Sequence, residues 1–126
     1  MTREMLGAKI HAAHVTQVNL EYEGSCAIDT DLLDAAGIAP YERVHIYNIT
    51  TGARLDTYAI PARRGSRTIG LNGAAARLAQ RGDRIIIASY VQVDDQEVQH
   101  HKPVVVVLDD ENRIVKTHRH SVRRKS

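Results

Sequence analysis

Val44-His45-Ile46-Tyr47-Asn48-Ile49 and Arg54-Leu55-Asp56-Thr57-Tyr58-Ala59-Ile60 stand on either side of Thr51-Gly52. Both runs are rich in branched and aromatic residues, and a Gly-containing turn joins them, so they read as the two strands of a hairpin. On the second strand, alternation sends Arg54, Asp56 and Tyr58 to one face and Leu55 and Thr57 to the other. Upstream, Leu6, Ala8, Ile10 and Ala12 alternate with Met5, Gly7, Lys9 and His11, the period of a half-buried strand over 5–12. Val15 to Tyr22 continues as a second extended piece. Asp29, Thr30 and Asp31 can cap a short helix over Leu32-Leu33-Asp34-Ala35-Ala36 that Gly37 ends. Downstream, Arg67 to Leu71 is a short strand, and Asn72 begins a helical turn through Ala79 that Gly82 closes. Arg84 to Val93, with Ile85-Ile86-Ile87, reads as a strand buried on both faces, and Val104 to Leu108 as a last strand after Pro103. Many short strands with two small helices argue a mainly β, single-domain chain, a β-barrel with short helical insertions.

The 126 residues suit one domain with a real core, and that core must be aliphatic because Phe and Trp are absent. A single cysteine, Cys26, excludes an intrachain disulfide and a thiolate-rich metal site, which fits a reducing compartment. With no long apolar run and no signal-peptide pattern, a cytoplasmic protein without membrane contact is expected. The net charge of +2 is uneven. Residues 116–126 hold five Lys/Arg and no acid, leaving 12 bases against 15 acids in 1–115. The reading is a mildly acidic domain over 1–115 and a basic, disordered tail over 116–126, with no nucleic-acid role assigned.

Glu23-Gly24-Ser25-Cys26 reads on its own either as an ordinary turn or as a self-cleaving junction. A Gly-Ser peptide bond held in the right geometry can cut itself. The Ser25 hydroxyl attacks the Gly24 carbonyl, the acyl group moves from nitrogen to oxygen, and the ester eliminates. Hydrolysis of the dehydroalanine leaves a pyruvoyl ketone on the new N-terminus at 25. Cys26 has no His-Asp relay beside it and reads as a small buried residue. Asn72-Gly73-Ala74-Ala75 offers an N-cap followed by tiny residues, a helix start whose N–H groups can receive a carboxylate. His11 and His14, three apart on a strand, point to opposite faces. His100-His101, His118 and His120 fall in a polar connection and the tail, so no metal site is expected.

Taken together, Lys9-Ile10-His11, Tyr22 to Asp29, Asn48 to Ile60 and Asn72 to Ala76 resemble the pyruvoyl-dependent aspartate 1-decarboxylases, which make β-alanine for pantothenate synthesis. The resemblance covers most of residues 3–97. It implies a double-psi β-barrel assembled as a homotetramer, with active sites where subunits meet. It also implies a covalently bound pyruvoyl group derived from Ser25 in place of pyridoxal phosphate, forming a Schiff base with L-aspartate. Thr57 would then sit beside the Gly24 carbonyl during cleavage, with Asn72 nearby, and Tyr58 would be the proton donor after decarboxylation. A dicarboxylate substrate needs fixed cations: Arg54 supplies a planar fork and Lys9 a compact ammonium. His11 shares the Lys9 face and lines the same site, with Tyr22 helping to shape it. The substrate would also touch Thr57, Gly73, Ala74 and Ala75. Tyr47 stands where many members have tryptophan, altering the pocket's packing, and Arg63 replaces a common glutamate. Two other readings stay open: a non-catalytic β-barrel binding module, and a decarboxylase for another acidic amino acid such as glutamate.

Overall fold

A computed structural model describes residues 1–119. Nine strands and one α-helix are arranged as β1 (Thr2–His14), β2 (Gln17–Asn19), β3 (Ser25–Asp29), α1 (Thr30–Ala36), β4 (Arg43–Asn48), β5 (Arg54–Ala62), β6 (Ile69–Asn72), β7 (Arg84–Asp94), β8 (Val104–Leu108) and β9 (Ile114–Arg119). Single 3₁₀ segments cover Gly73–Leu78 and Asp95–His100. The strands hydrogen-bond in the order β2-β6-β3-β5-β4-β7-β1-β8-β9, mixing parallel pairs (β2 with β6, β3 with β5, β1 with β8) among antiparallel ones. Short strands, crossed parallel connections and helical insertions are in keeping with the double-psi β-barrel.

The hairpin forms as the sequence requires. Tyr47 pairs with Arg54 and Val44 with Thr57. The Asn48 side chain accepts from the Thr50 and Thr51 amides, and Gly52 takes φ +83°. α1 has the expected ends: Asp29 accepts from the Asp31 amide, and Gly37 closes it in the left-handed region. Ile10, Ile28, Ile46, Ile69, Leu71, Ile85 and Ile87 are fully buried, so the core is aliphatic throughout.

Five elements differ from the sequence reading. The extended piece over 15–22 shrinks to the three residues of β2, and β3 forms instead from Ser25 onward, buried at all five positions. β7 is buried on both faces only around Ile87–Ser89, and its outer half is largely exposed. Strict alternation on β1 fails, because Ala12 adopts φ +64° and the β1–β7 register shifts between Ile10 and Ala13, the mark of a bulge. His11 and His14 therefore do not take their faces from a simple two-residue period. Lys116 to Arg119 continue β9, pairing with Val107 back to Val104, so an ordered strand occupies the first residues assigned to the tail. The remainder, 120–126, lies outside the described residues.

Candidate active site

β3 lies between β5 and β6, and its first residue is Ser25. Gly24 is exposed while Ser25 is 1% exposed, so their peptide bond crosses from solvent into the sheet. Ser25 pairs with Asn72 at the end of β6. Asn72 Nδ2 donates to Ser25 Oγ at 3.0 Å, and Ser25 Oγ donates to the Glu23 carbonyl at 3.3 Å. The sequence reading made Asn72 an N-cap. Its side chain makes no capping bond and is committed to Ser25 instead, and the turn it precedes is 3₁₀, ending at Leu78.

Gly73 explains how the junction is held. It has φ +63°, and a Cβ there would lie 2.6 Å from the Gly24 nitrogen, 2.7 Å from the Gly24 Cα and 3.0 Å from the Tyr22 carbonyl oxygen. Only glycine lets the two backbones approach this closely. Beside the junction, a cleft of about 210 Å³ is lined by Gln17, Asn19, Tyr22, Ala27, Ile60 and Asn72. Of the helical turn that follows, Ala74 is exposed and Ala75 buried.

The parallel register sets Cys26 opposite Ala59. One residue back, Ser25 is level with Tyr58, on the same side of the sheet because alternation runs in step in both strands. Tyr58 is half-buried and stacks on Tyr41 with ring centroids 6.2 Å apart. Thr57 makes no side-chain hydrogen bond among the described residues. Cys26 is wholly buried, which pushes its thiol up to about 12, so it carries no thiolate at neutral pH.

Lys9 and His11 on β1 lie apart from Arg54 on β5. Lys9 on β1 is opposite Ala88 on β7, which is opposite His45 on β4, which is opposite Asp56 on β5. Two strands therefore separate Lys9 from β5. Lys9 and His11 are close enough that burial first, then the Lys9 and Arg84 charges, hold the His11 imidazole below its ordinary pKa. His11 Nδ1 is buried and has no hydrogen-bond partner among the described residues. Arg54 turns sideways, its guanidinium carbon 4.4 Å from the centre of the Tyr47 ring. The Tyr47 hydroxyl meets the Tyr90 hydroxyl at 2.7 Å, and His45 sets its edge to Tyr90 with centroids 5.1 Å apart. The sequence reading missed Tyr90. A signal existed for its partner, since the hairpin register alone sets Tyr47 opposite Arg54. Among the described residues Arg63 makes no ion pair, while Arg64 binds Asp31 and Asp34 at 2.6 and 2.9 Å.

Residues 1–115 match the model of the aspartate decarboxylase family. Among curated relatives, the Aspartate 1-decarboxylase of Tolumonas auensis is 58% identical over 117 residues, covering 93% of each chain. That of Phenylobacterium zucineum is 57% identical over 112 residues, covering 89% of this chain and 95% of the relative. That of Psychromonas ingrahamii is 56% identical over 117 residues, again 93% of both.

Proposed function

The chain belongs to the aspartate decarboxylase family, and from that premise we propose that it converts L-aspartate to β-alanine and carbon dioxide with a pyruvoyl group made from Ser25. The observation that carries this reading is the Asn72 Nδ2 bond to Ser25 Oγ, made at a Gly-Ser junction against which Gly73 packs. These residues fit the group, since a buried serine with a fixed donor, next to an exposed glycine, is what its formation needs. Oγ bonds to the Gly24 carbonyl carbon, the C–N bond breaks as nitrogen takes the proton, and an ester results. Loss of the Ser25 Cα proton then expels the Gly24 carboxylate, and hydrolysis releases ammonia. Asn72 orients Oγ, and Thr57, on the strand that pairs with β3, is the donor for the tetrahedral oxyanion.

The pyruvoyl ketone supplies the electron sink that pyridoxal phosphate supplies in other decarboxylases. Tyr58, on the Ser25 side of the sheet, delivers the proton to the substrate carbon that has lost carbon dioxide. The start of the turn at Gly73, Ala74 and Ala75 receives one substrate carboxylate. Arg54 and Lys9 receive the other, with His11 and Tyr22 lining the site.

One chain does not assemble all of this. Arg54 and Tyr58 are four residues apart on β5, about 13 Å at ordinary strand rise, and the Arg54 head is turned onto Tyr47. Aspartate, whose two carboxylates are joined through only Cα and Cβ, is too short to bridge that gap. A homotetramer, with one copy's Arg54 and Lys9 meeting another's Ser25, resolves the distance. Exposed Val18, Leu20, Tyr22 and Tyr41 offer apolar surface for such contacts. A reducing, cytoplasmic setting suits the free cysteine, and no described helix is long and apolar enough to cross a membrane.

Intact mass spectrometry tests the route. The parent chain should yield fragments 1–24 and 25–126, the larger one blocked by pyruvoyl. Ser25→Ala should stay a single, inactive chain, and cleavage or turnover in that variant would overturn the mechanism.

A further inference from the structure

We propose that Tyr90 is a positioning residue for aspartate recognition, fixing through its hydroxyl the Tyr47 ring on which the Arg54 guanidinium rests. The inference rests on the reading of Arg54 as the fork for the second substrate carboxylate. Arg54 is exposed, and a long arginine that must adopt one geometry before it can bind loses its rotamer freedom on binding. A ring beneath the guanidinium restricts that freedom in advance, because the cation is attracted to the aromatic face.

The ring must itself be fixed. Tyr47 is half-buried on β4, and its neighbours on the adjoining strands are Arg54 on one side and Ile86 on the other. Neither holds its hydroxyl. Tyr90 does, four residues further along β7 than Ile86 and on the same face, at 2.7 Å. Tyr90 is anchored in turn by the edge-on contact with His45, interplanar angle 85°, and by its position opposite Leu6 in the β1–β7 pair. The chain Tyr90 to Tyr47 to Arg54 therefore runs from β7 across β4 to β5. The Tyr47 hydrogen bond first, and then burial, push the Tyr90 phenol up to about 12. The Tyr90 hydroxyl proton is thus present across neutral pH. Arg54 itself acts on the Tyr90 phenol, lowering it, so the three groups form one electrostatic unit.

Phenylalanine at either tyrosine keeps the rings and removes only the link. Four variants of the self-processed enzyme test the proposal: Tyr47→Phe, Tyr90→Phe, the double variant, and Arg54→Ala. Two readouts apply, KM and kcat for aspartate, and the Kd for succinate, a dicarboxylate with no amine to react. Losing one hydrogen bond should raise KM and Kd by about 3–10-fold in each single variant, with kcat and self-cleavage near parental values. The double variant should be no worse than either single, because both remove the same link. Parental KM and Kd in Tyr90→Phe, additive effects in the double, or a fall in kcat with KM unchanged would overturn the proposal. If Arg54→Ala weakens aspartate and succinate but the tyrosine variants do not, only the Tyr90 proposal falls. If Arg54→Ala leaves both constants unchanged, the reading of Arg54 falls and takes the proposal with it.

Discussion

Replacing Gly73 by alanine should damage self-cleavage more than any change of equal size elsewhere in the fold. The added Cβ would sit 2.6 Å from the Gly24 nitrogen and 2.7 Å from its Cα, short of the 3.4 Å of ordinary contact by 0.8 and 0.7 Å. Both obstructing atoms are backbone, so no side chain can swing aside. The left-handed φ of +63° adds a steric cost of about 1–2 kcal/mol for an L-residue. Forcing the contact apart adds roughly 1–3 kcal/mol. A total near 2–5 kcal/mol should lower the Tm by on the order of 10 °C or more. The sharper effect falls on the chemistry. Relief must displace Gly24, the residue whose carbonyl Ser25 attacks in the proposed cleavage, and a misplacement approaching 1 Å costs about 100-fold in rate. Gly70→Ala is the control. Its Cβ also meets atoms at 2.8 and 2.9 Å, but they belong to the exposed side chain of Gln17, which can move. The assay follows fragment appearance on denaturing gels at a temperature where circular dichroism shows both variants folded. If folded Gly73→Ala cleaves as fast as Gly70→Ala, the packing of Gly73 on Gly24 does not hold the scissile bond.

Three further outcomes follow from the structure. Tyr58→Phe keeps the ring that stacks on Tyr41 and should still cleave itself, while β-alanine release from aspartate falls about 10²–10⁴-fold; parental turnover would place the proton source elsewhere. Truncation after Arg119 should leave Tm and turnover unchanged. Truncation after Val115 removes four residues paired with β8 and should lower the Tm measurably, and equal melting of the two truncates would show that this part of β9 contributes nothing. His11 is held below its ordinary value of 6.5, so the unfolded chain takes up its proton first as pH falls. The stability His11 contributes is therefore present above pH 6.5 and is lost as pH falls from there toward the folded pKa. His11→Asn should flatten Tm against pH in that window, and an unchanged slope would assign the dependence to another group.

The parts of the fold legible in the sequence were those whose cause is local. The β4–β5 hairpin needs only its turn and its alternating runs, and α1 needs only Asp29 and Gly37, so both stand where the residues placed them. The bulge at Ala12 and the strand β9 depend on partners far along the chain. Ala12 is an unremarkable residue for a strand, and nothing near it signals a left-handed φ. Lys116 to Arg119 read as solvated charge until Val104 to Val107 are seen to supply the backbone that pairs with them. β3 was hidden for a related reason. Its residues Ser-Cys-Ala-Ile-Asp show no alternation, because β5 and β6 flank it and all five positions are buried.

The site divides along the same line. Ser25 could be named from its Gly-Ser motif, Thr57 and Tyr58 were named from the family resemblance, and the strand that carries both, β5, pairs with β3. Asn72 shows where local reasoning stops. Ahead of a helical turn, asparagine is a good cap on propensity alone. Here its amide is drawn off by a buried hydroxyl that would otherwise lack a donor. A buried polar atom without a partner costs more than an uncapped 3₁₀ turn, whose amides can find other acceptors or water. That competition, decided 47 residues away in sequence, ties an ordinary helix start to Ser25. It also explains why Gly73 must follow: once the Asn72 side chain reaches across to Ser25, the next residue lies against Gly24 and has no room for a side chain.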